Sequence, residues 1–237
     1  LITQSEYDLG AMSCNPSIGG PGKSQMVAEI DAMGGIMGRA ADAAGIQFRM
    51  LNASHGAATQ ALRAQIDRVL YHNEIVKILK NYPNLTVQIE TVKSLDIAKM
   101  CINSEYTARA IVLTTGTFLH GLVTRGNEKI SSGRITDDGQ YQAADTNISN
   151  ILSDSGFHIM RLKTGTPARI ERASVDFSVC EIQPADNPHD WFSEPNPDNN
   201  FSAVCYITHT TQKTHDIIRE NIASAPMYNG DIHGTGP

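Results

Sequence analysis

The chain has no excess of positive charge, no paired-cysteine motif, no long apolar run and no complete dinucleotide fingerprint. Each absence removes a class of function. Lys and Arg number 19 against 25 Asp and Glu, a net charge of −6, so composition supplies no electrostatic footprint for nucleic acid. The four cysteines, at 14, 101, 180 and 205, make no C-x-x-C pair and no zinc-ligand spacing. Their scatter argues against a disulfide framework and fits a reducing cytoplasm. No apolar run approaches the ~20 residues of a membrane-spanning helix, and no signal-peptide pattern is visible. No G-x-G-x-x-G occurs. His209, His215 and His233 have no recognised metal spacing and read as ordinary polar positions, so no metal site is expected.

What is there is 237 residues with 41% hydrophobic content, enough for one good core and part of a second. Leu1-Ile2-Thr3 reads as a strand already under way, and Gly234-Thr235-Gly236-Pro237 stops inside a glycine-rich loop. The chain therefore reads as an internal piece of a longer protein. Alone it is expected to be poorly soluble and to hold little cofactor, because an open sheet edge invites aggregation.

The most informative stretch is Met12-Ser13-Cys14-Asn15-Pro16-Ser17-Ile18-Gly19-Gly20-Pro21-Gly22-Lys23-Ser24. Its glycines let the backbone approach a ligand that a Cβ would exclude, and its prolines fix the turn. Met26, Val27, Ile30 and Met33 follow at helical spacing, so the loop opens onto a helix over 23–34. Free N–H groups at that helix start, with the helix dipole, favour a phosphate or a polarised carbonyl oxygen. Gly22-Lys23-Ser24 imitates the end of a P-loop, but that motif requires glycine where Ser17 stands and a hydrophobic strand where Cys14-Asn15-Pro16 stands. Cys14, ahead of a helix start with Lys23 nearby, has the setting of a thiolate nucleophile. A buried, inert cysteine is the commoner fate, and the residues alone leave both readings open.

Further along, 36–44 reads as a second short helix or turn. Residues 46–51 read as a strand with Gln47 and Arg49 on one side and Phe48 and Met50 on the other. Residues 57–81 read as the longest helix, with Ser54 a candidate N-cap and Leu62, Ile66, Val69, Leu70, Ile75, Ile78 and Leu79 on its apolar face. Arg63, Gln65, Asp67 and Arg68 fall on its solvated side. Residues 85–90 alternate as a strand. The apolar run 108–118, ending Thr114-Thr115-Gly116-Thr117, has the look of a buried parallel strand, and ligands of doubly wound sheets bind outside such strand ends. Residues 121–139 read as loop, 147–155 as a helix and 180–200 as an exposed, poorly structured insertion. A strand over 204–207 and a helix over 213–222 complete the pass.

The loop Ser13-Cys14-Asn15-Pro16-Ser17-Ile18-Gly19-Gly20-Pro21-Gly22-Lys23 resembles the signature of the MnmG (GidA) family of tRNA-modifying flavoproteins. The resemblance extends through 45–52, Arg63-Ala64-Gln65-Ile66-Asp67-Arg68, 113–119, 161–169 and Cys205-Tyr206-Ile207-Thr208-His209-Thr210, and fades in 95–106 and 135–151. It implies an α/β fold: a doubly wound, Rossmann-like FAD-binding domain of the glutathione-reductase type over 1–166. That domain lacks its first βαβ unit here, and an inserted NAD-binding α/β domain begins over 167–237. It implies an enzyme that uses FAD, NADH and methylenetetrahydrofolate to add a (carboxymethyl)aminomethyl group at C5 of wobble uridine 34. The implied setting is cytoplasmic, as a homodimer with tRNA and an MnmE-type GTPase as partners and no membrane. By the same transfer, Cys14 is the reactive cysteine, Ile18, Gly19 and Gly20 face the isoalloxazine end of the flavin, and Asn15, Pro16, Gly22 and Lys23 are further cofactor-binding residues. Val92 holds the adenine through its backbone, Thr115, Gly116 and Thr117 line the cofactor, and Gly236 and Pro237 begin the NAD stretch. Serine replaces one glycine of the family's Ser-Gly-Gly-Arg at Ser131-Ser132-Gly133-Arg134. The alternatives are a folate-dependent tRNA (uracil-5) methyltransferase, a general FAD oxidoreductase, and a non-catalytic tRNA-binding or assembly module.

Overall fold

The computed structural model describes residues 1–136, 139–187, 190–193 and 203–232. The chain forms two compact units, one of residues 1, 3–89 and 169–208 and the other of 2, 90–168 and 209–237. Both mix helix and strand, in keeping with the expected α/β class.

The first unit begins with the two-residue strand β1 (Ile2–Thr3), then β2 (Ser17–Gly19), helix α1 (Lys23–Ala32), helix α2 (Met37–Ala44), β3 (Gly45–Leu51), β4 (Ala61–Ile66), helix α3 (Arg68–Lys80) and β5 (Gln88–Ile89). Its centre is a three-stranded antiparallel sheet ordered β2-β4-β3. Alternation along β4 sends Leu62, Ala64 and Ile66 into the core and turns Ala61, Arg63 and Gln65 to the opposite face. Phe48, fully buried, pairs with Ala64 across the sheet. Ala40, Ala41 and Ala44 of α2 let that helix come close, and Tyr71, Ile75 and Ile78 of α3 close the core at helical spacing.

Two expectations fail in this unit. The long helix over 57–81 is instead β4, a cap and α3. Leu62 and Ile66 satisfy a helical spacing of four and a strand period of two alike. The decision falls to Asp67, whose Oδ1 accepts the N–H groups of Val69 (2.9 Å) and Leu70 (3.0 Å) and so starts the helix after the strand. Val69 and Leu70, assigned to the apolar face, are exposed, and Ser54 caps no helix. The strand over 85–90 shortens to β5.

The second unit opens with β6 (Leu95–Asp96), β7 (Cys101–Ile102) and β8 (Tyr106–Thr107), a small antiparallel meander. The run 108–118 is not a strand: Val112 is 81% exposed and Leu113 41%. A parallel strand needs neighbouring strands to take up its N–H and C=O groups, and among the described residues none flanks this run. The doubly wound parallel sheet is accordingly not formed among the described residues. Every strand pair of stated register is antiparallel, and one isolated bridge, Leu119 with Asp145, is parallel. Residues 121–139, read as loop, contain the hairpin β9 (Leu122–Arg125) and β10 (Glu128–Ser131), then β11 (Arg134–Ile135), which pairs with β12 (Tyr141–Gln142). Helix α4 (Asn147–Asp154) follows as expected.

The chain then returns to the first unit. Strands β13 (Glu181–Gln183) and β14 (Cys205–Ile207) pair there, and helix α5 (Gln212–Asn221) follows in the second unit. The insertion over 180–200 is not wholly exposed. Among its described residues, Trp191 and Phe192 pack on Phe48 with ring centroids 5.4 and 6.3 Å away. The carboxylate of Asp42, 2% exposed, accepts the N–H groups of Phe192 (2.9 Å) and Ser193 (2.7 Å). Its Pro, Asn and Asp content conceals two aromatic anchors whose backbone is fastened from below.

Candidate functional site

Cys14 lies half-buried in the turn before β2, with Asn15 exposed and Pro16 half-buried beside it. The turn is pinned at both ends. Asn15 O accepts the Ser17 N–H at 2.8 Å, and Pro16 O accepts the Ile66 N–H at 2.7 Å. The Cys-Asn-Pro segment is thus fixed to the end of β4. Ile18 pairs with Ala64, and Gly19 with Arg63.

Beyond β2 the chain needs conformations open mainly to glycine. Gly19, Gly20 and Gly22 have φ of +84°, +93° and +74°. A Cβ on Gly19 would lie 2.2 Å from Leu62 O and 2.7 Å from Phe192 Cζ, so glycine is required there for close approach as well. Around Gly22 nothing lies within 4 Å of such a Cβ, and around Gly20 only Leu51 Cδ1 at 4.0 Å. Gly22 is exposed, so its backbone lies open, whereas Gly20 is itself buried. The helix start is less free than its sequence suggests: Gly20 O already accepts the N–H groups of Lys23 (3.0 Å) and Ser24 (2.9 Å). Lys23 is exposed.

The remaining site residues lie in the second unit. Val92 is half-buried in a segment clamped by Asn103. Asn103 Oδ1 accepts the N–H groups of Lys93 (2.7 Å) and Ser94 (3.2 Å), while its Nδ2 donates to Thr91 O (3.1 Å) and to Glu90 Oε1 (2.6 Å). The Tyr106 hydroxyl donates to Glu90 Oε2 at 2.8 Å, a bond that raises its pKa. Thr115 O accepts the Phe118 N–H, Gly116 has φ +57° with open space around it, and Thr117 Oγ1 donates to Gly133 O at 2.5 Å. That last contact joins the turn to the Ser131-Ser132-Gly133-Arg134 motif. Ser132, 1% exposed, has its Oγ 2.7 Å from Gln142 O and accepts the Arg134 N–H at 3.2 Å. A short segment brings these pieces together: Asn147 Nδ2 donates to Lys93 O, and Asp145 exchanges backbone bonds with Phe118 and His120. Gly236 and Pro237 lie outside the described residues. Among the described residues no cluster of metal-ligating side chains occurs and no helix is long and apolar enough to cross a membrane.

The family model for glucose inhibited division protein A matches the chain over residues 1–237. The chain belongs to the GidA family. Two solved structures of Aquifex aeolicus GidA agree. The form I crystal structure is 38% identical, superposes with a TM-score of 0.82 and covers 100% of this chain and 41% of its own. The form II structure, also 38% identical, has a TM-score of 0.80 and covers 93% of this chain and 38% of its own. The chain therefore spans about two fifths of the length of these GidA relatives.

Reading the sequence as a GidA-type loop locates Cys14 and the glycines, but it misses the residues that hold them. Asp42, Phe192 and Asn103 carry no motif. Arg63, read as a solvated helical charge, stands half-buried on a strand beside Gly19. Alternation over 62–66 was the available signal for it.

Proposed function

We propose that this chain is part of a flavin- and NADH-dependent tRNA-modifying enzyme that adds a (carboxymethyl)aminomethyl group at C5 of wobble uridine 34. The GidA match over the whole chain carries the reading, and the Cys14 loop supports it. FAD, when bound, supplies redox chemistry, with NADH as reductant and methylenetetrahydrofolate as one-carbon donor. In this reading 1–166 belong to the flavin domain, and 167–237 open the NAD domain. The homodimer and the MnmE-type GTPase partner are assigned with it.

The fit to a flavin rests, within each unit by itself, on the exposed backbone at Gly22 in the first and at Gly116 in the second, where a Cβ would meet nothing. Ile18, Gly19 and Gly20 would border the ring with Asn15, Pro16, Gly22 and Lys23 around it. Val92 would hold the adenine through backbone atoms, with Thr115, Gly116 and Thr117 close to the cofactor. The chain's own chemistry falls to Cys14. Its thiolate adds to C6 of the uracil, the C5–C6 π electrons shift toward O4, and C5 becomes nucleophilic toward the one-carbon unit. Loss of the C5 proton and departure of sulfur from C6 restore the ring and the thiolate. The pinned turn of Asn15, Pro16 and Ser17 holds the backbone that follows Cys14.

The test is tritium release from C5-labelled uridine tRNA by the full-length enzyme and its Cys14→Ser variant. The variant is expected to bind flavin normally and lose release by at least ~100-fold. Full turnover by Cys14→Ser would remove Cys14 from the chemistry.

A further inference from the structure

Three residues share one row of the central sheet: Gly19 of β2, Arg63 of β4 and Arg49 of β3. Residues directly opposite in an antiparallel pair bring their Cβ atoms to about 5 Å, and like charges so placed repel. The two arginines are answered unequally. Arg49 donates to Pro184 O at 2.8 Å and lies 3.7 Å from the carboxylate of Asp186, which also accepts the Met50 N–H at 2.6 Å. Arg63 reaches only the Ser17 hydroxyl, at 3.5 Å, and faces no carboxylate within ion-pair distance among the described residues. It is half-buried, so solvent satisfies it only in part.

A guanidinium held beside a second cation, with most of its N–H donors unused and a hydroxyl donor at hand, has the donor set of an oxyanion receptor. Its position fixes what it would serve. Gly19, its direct partner across the sheet, begins the glycine backbone of the Cys14 loop. We propose that Arg63 and Ser17 bind a phosphate group of a ligand that lies against this loop. The inference rests on the functional reading above for the identity of that ligand, which is either the flavin dinucleotide or the bound RNA. The phosphate chemistry itself does not depend on that reading.

The probe is inorganic pyrophosphate, titrated calorimetrically into the full-length protein and into its Arg63→Gln, Arg63→Lys and Ser17→Ala variants. Loss of a charge-assisted contact predicts about tenfold weaker binding for Arg63→Gln, with Arg63→Lys and Ser17→Ala falling between it and the parent. FAD affinity and tRNA affinity, measured on the same proteins, separate the two sources. A weaker FAD constant assigns the phosphate to the flavin. A weaker tRNA constant whose salt slope falls by about one assigns it to the RNA backbone. Equal pyrophosphate affinity in parent and variants, or none in the parent, overturns the proposal. A protein that binds pyrophosphate through Arg63 yet holds neither flavin nor tRNA would overturn the function proposed above and leave this inference standing.

Discussion

Gly19→Ala is the substitution whose cost the structure defines most sharply. The residue has φ +84°, which an L-side chain adopts at a cost of about 1–2 kcal/mol. The new Cβ would stand 2.2 Å from Leu62 O, a backbone atom in the middle of β4 that has no freedom to move alone. Relief requires opening the Gly20 N–H bond to the same carbonyl, now 2.8 Å long, for about 1 kcal/mol more. Phe192 Cζ, at 2.7 Å, must also shift out of its packing against Phe48, an overpacking cost of about 1–3 kcal/mol. Gly19→Ala should therefore cost roughly 3–6 kcal/mol. Gly22→Ala is the control. It has the same sign of φ, +74°, but open space around the Cβ, so it should cost only about 1–2 kcal/mol. Urea unfolding of the two full-length variants, compared at equal slope, gives the difference. A gap below about 0.5 kcal/mol would refute the claim that β4 and Phe192 close on Gly19.

Two further outcomes follow from buried polar groups. Asp42→Ala leaves the Phe192 and Ser193 N–H groups without their acceptor and should cost about 3 kcal/mol, while amide exchange at those two residues rises together; unchanged exchange there would contradict the clamp. Burial pushes Tyr71 up to about 12 from 10.0, so the folded state keeps its proton where the unfolded state loses it. That contribution is complete below pH 10 and is lost as pH rises through 12, at most ~2.7 kcal/mol. Tyr71→Phe should flatten the alkaline limb of stability, and an unaltered limb would assign it to other groups.

Much of the architecture is legible where one period dominates. Helices α1, α2, α4 and α5 and strand β3 follow from spacing and from their glycine or polar boundaries. β4 is ambiguous because Leu62 and Ile66 serve either period, and only the cap formed by Asp67 resolves it. The run 108–118 has strand composition, but composition cannot supply neighbours, and Val112 stays exposed. The strap ending in Trp191 and Phe192 is invisible to a reading by average polarity, since two aromatic rings and one buried carboxylate outweigh its prolines and aspartates. At the candidate site, the Cys14 loop is legible as a glycine-rich turn before a helix. The partners that fix it, Leu62 O, Ile66 N–H and Phe192, are distant in sequence and belong to no motif.

The proposal that this chain is part of a flavoprotein reduced by NADH is tested most directly by the visible spectrum of the full-length protein. The account predicts a bound-flavin band near its usual position that bleaches on anaerobic addition of NADH and returns with air. A colourless protein that added FAD does not reconstitute would leave the GidA fold in place and contradict the redox mechanism.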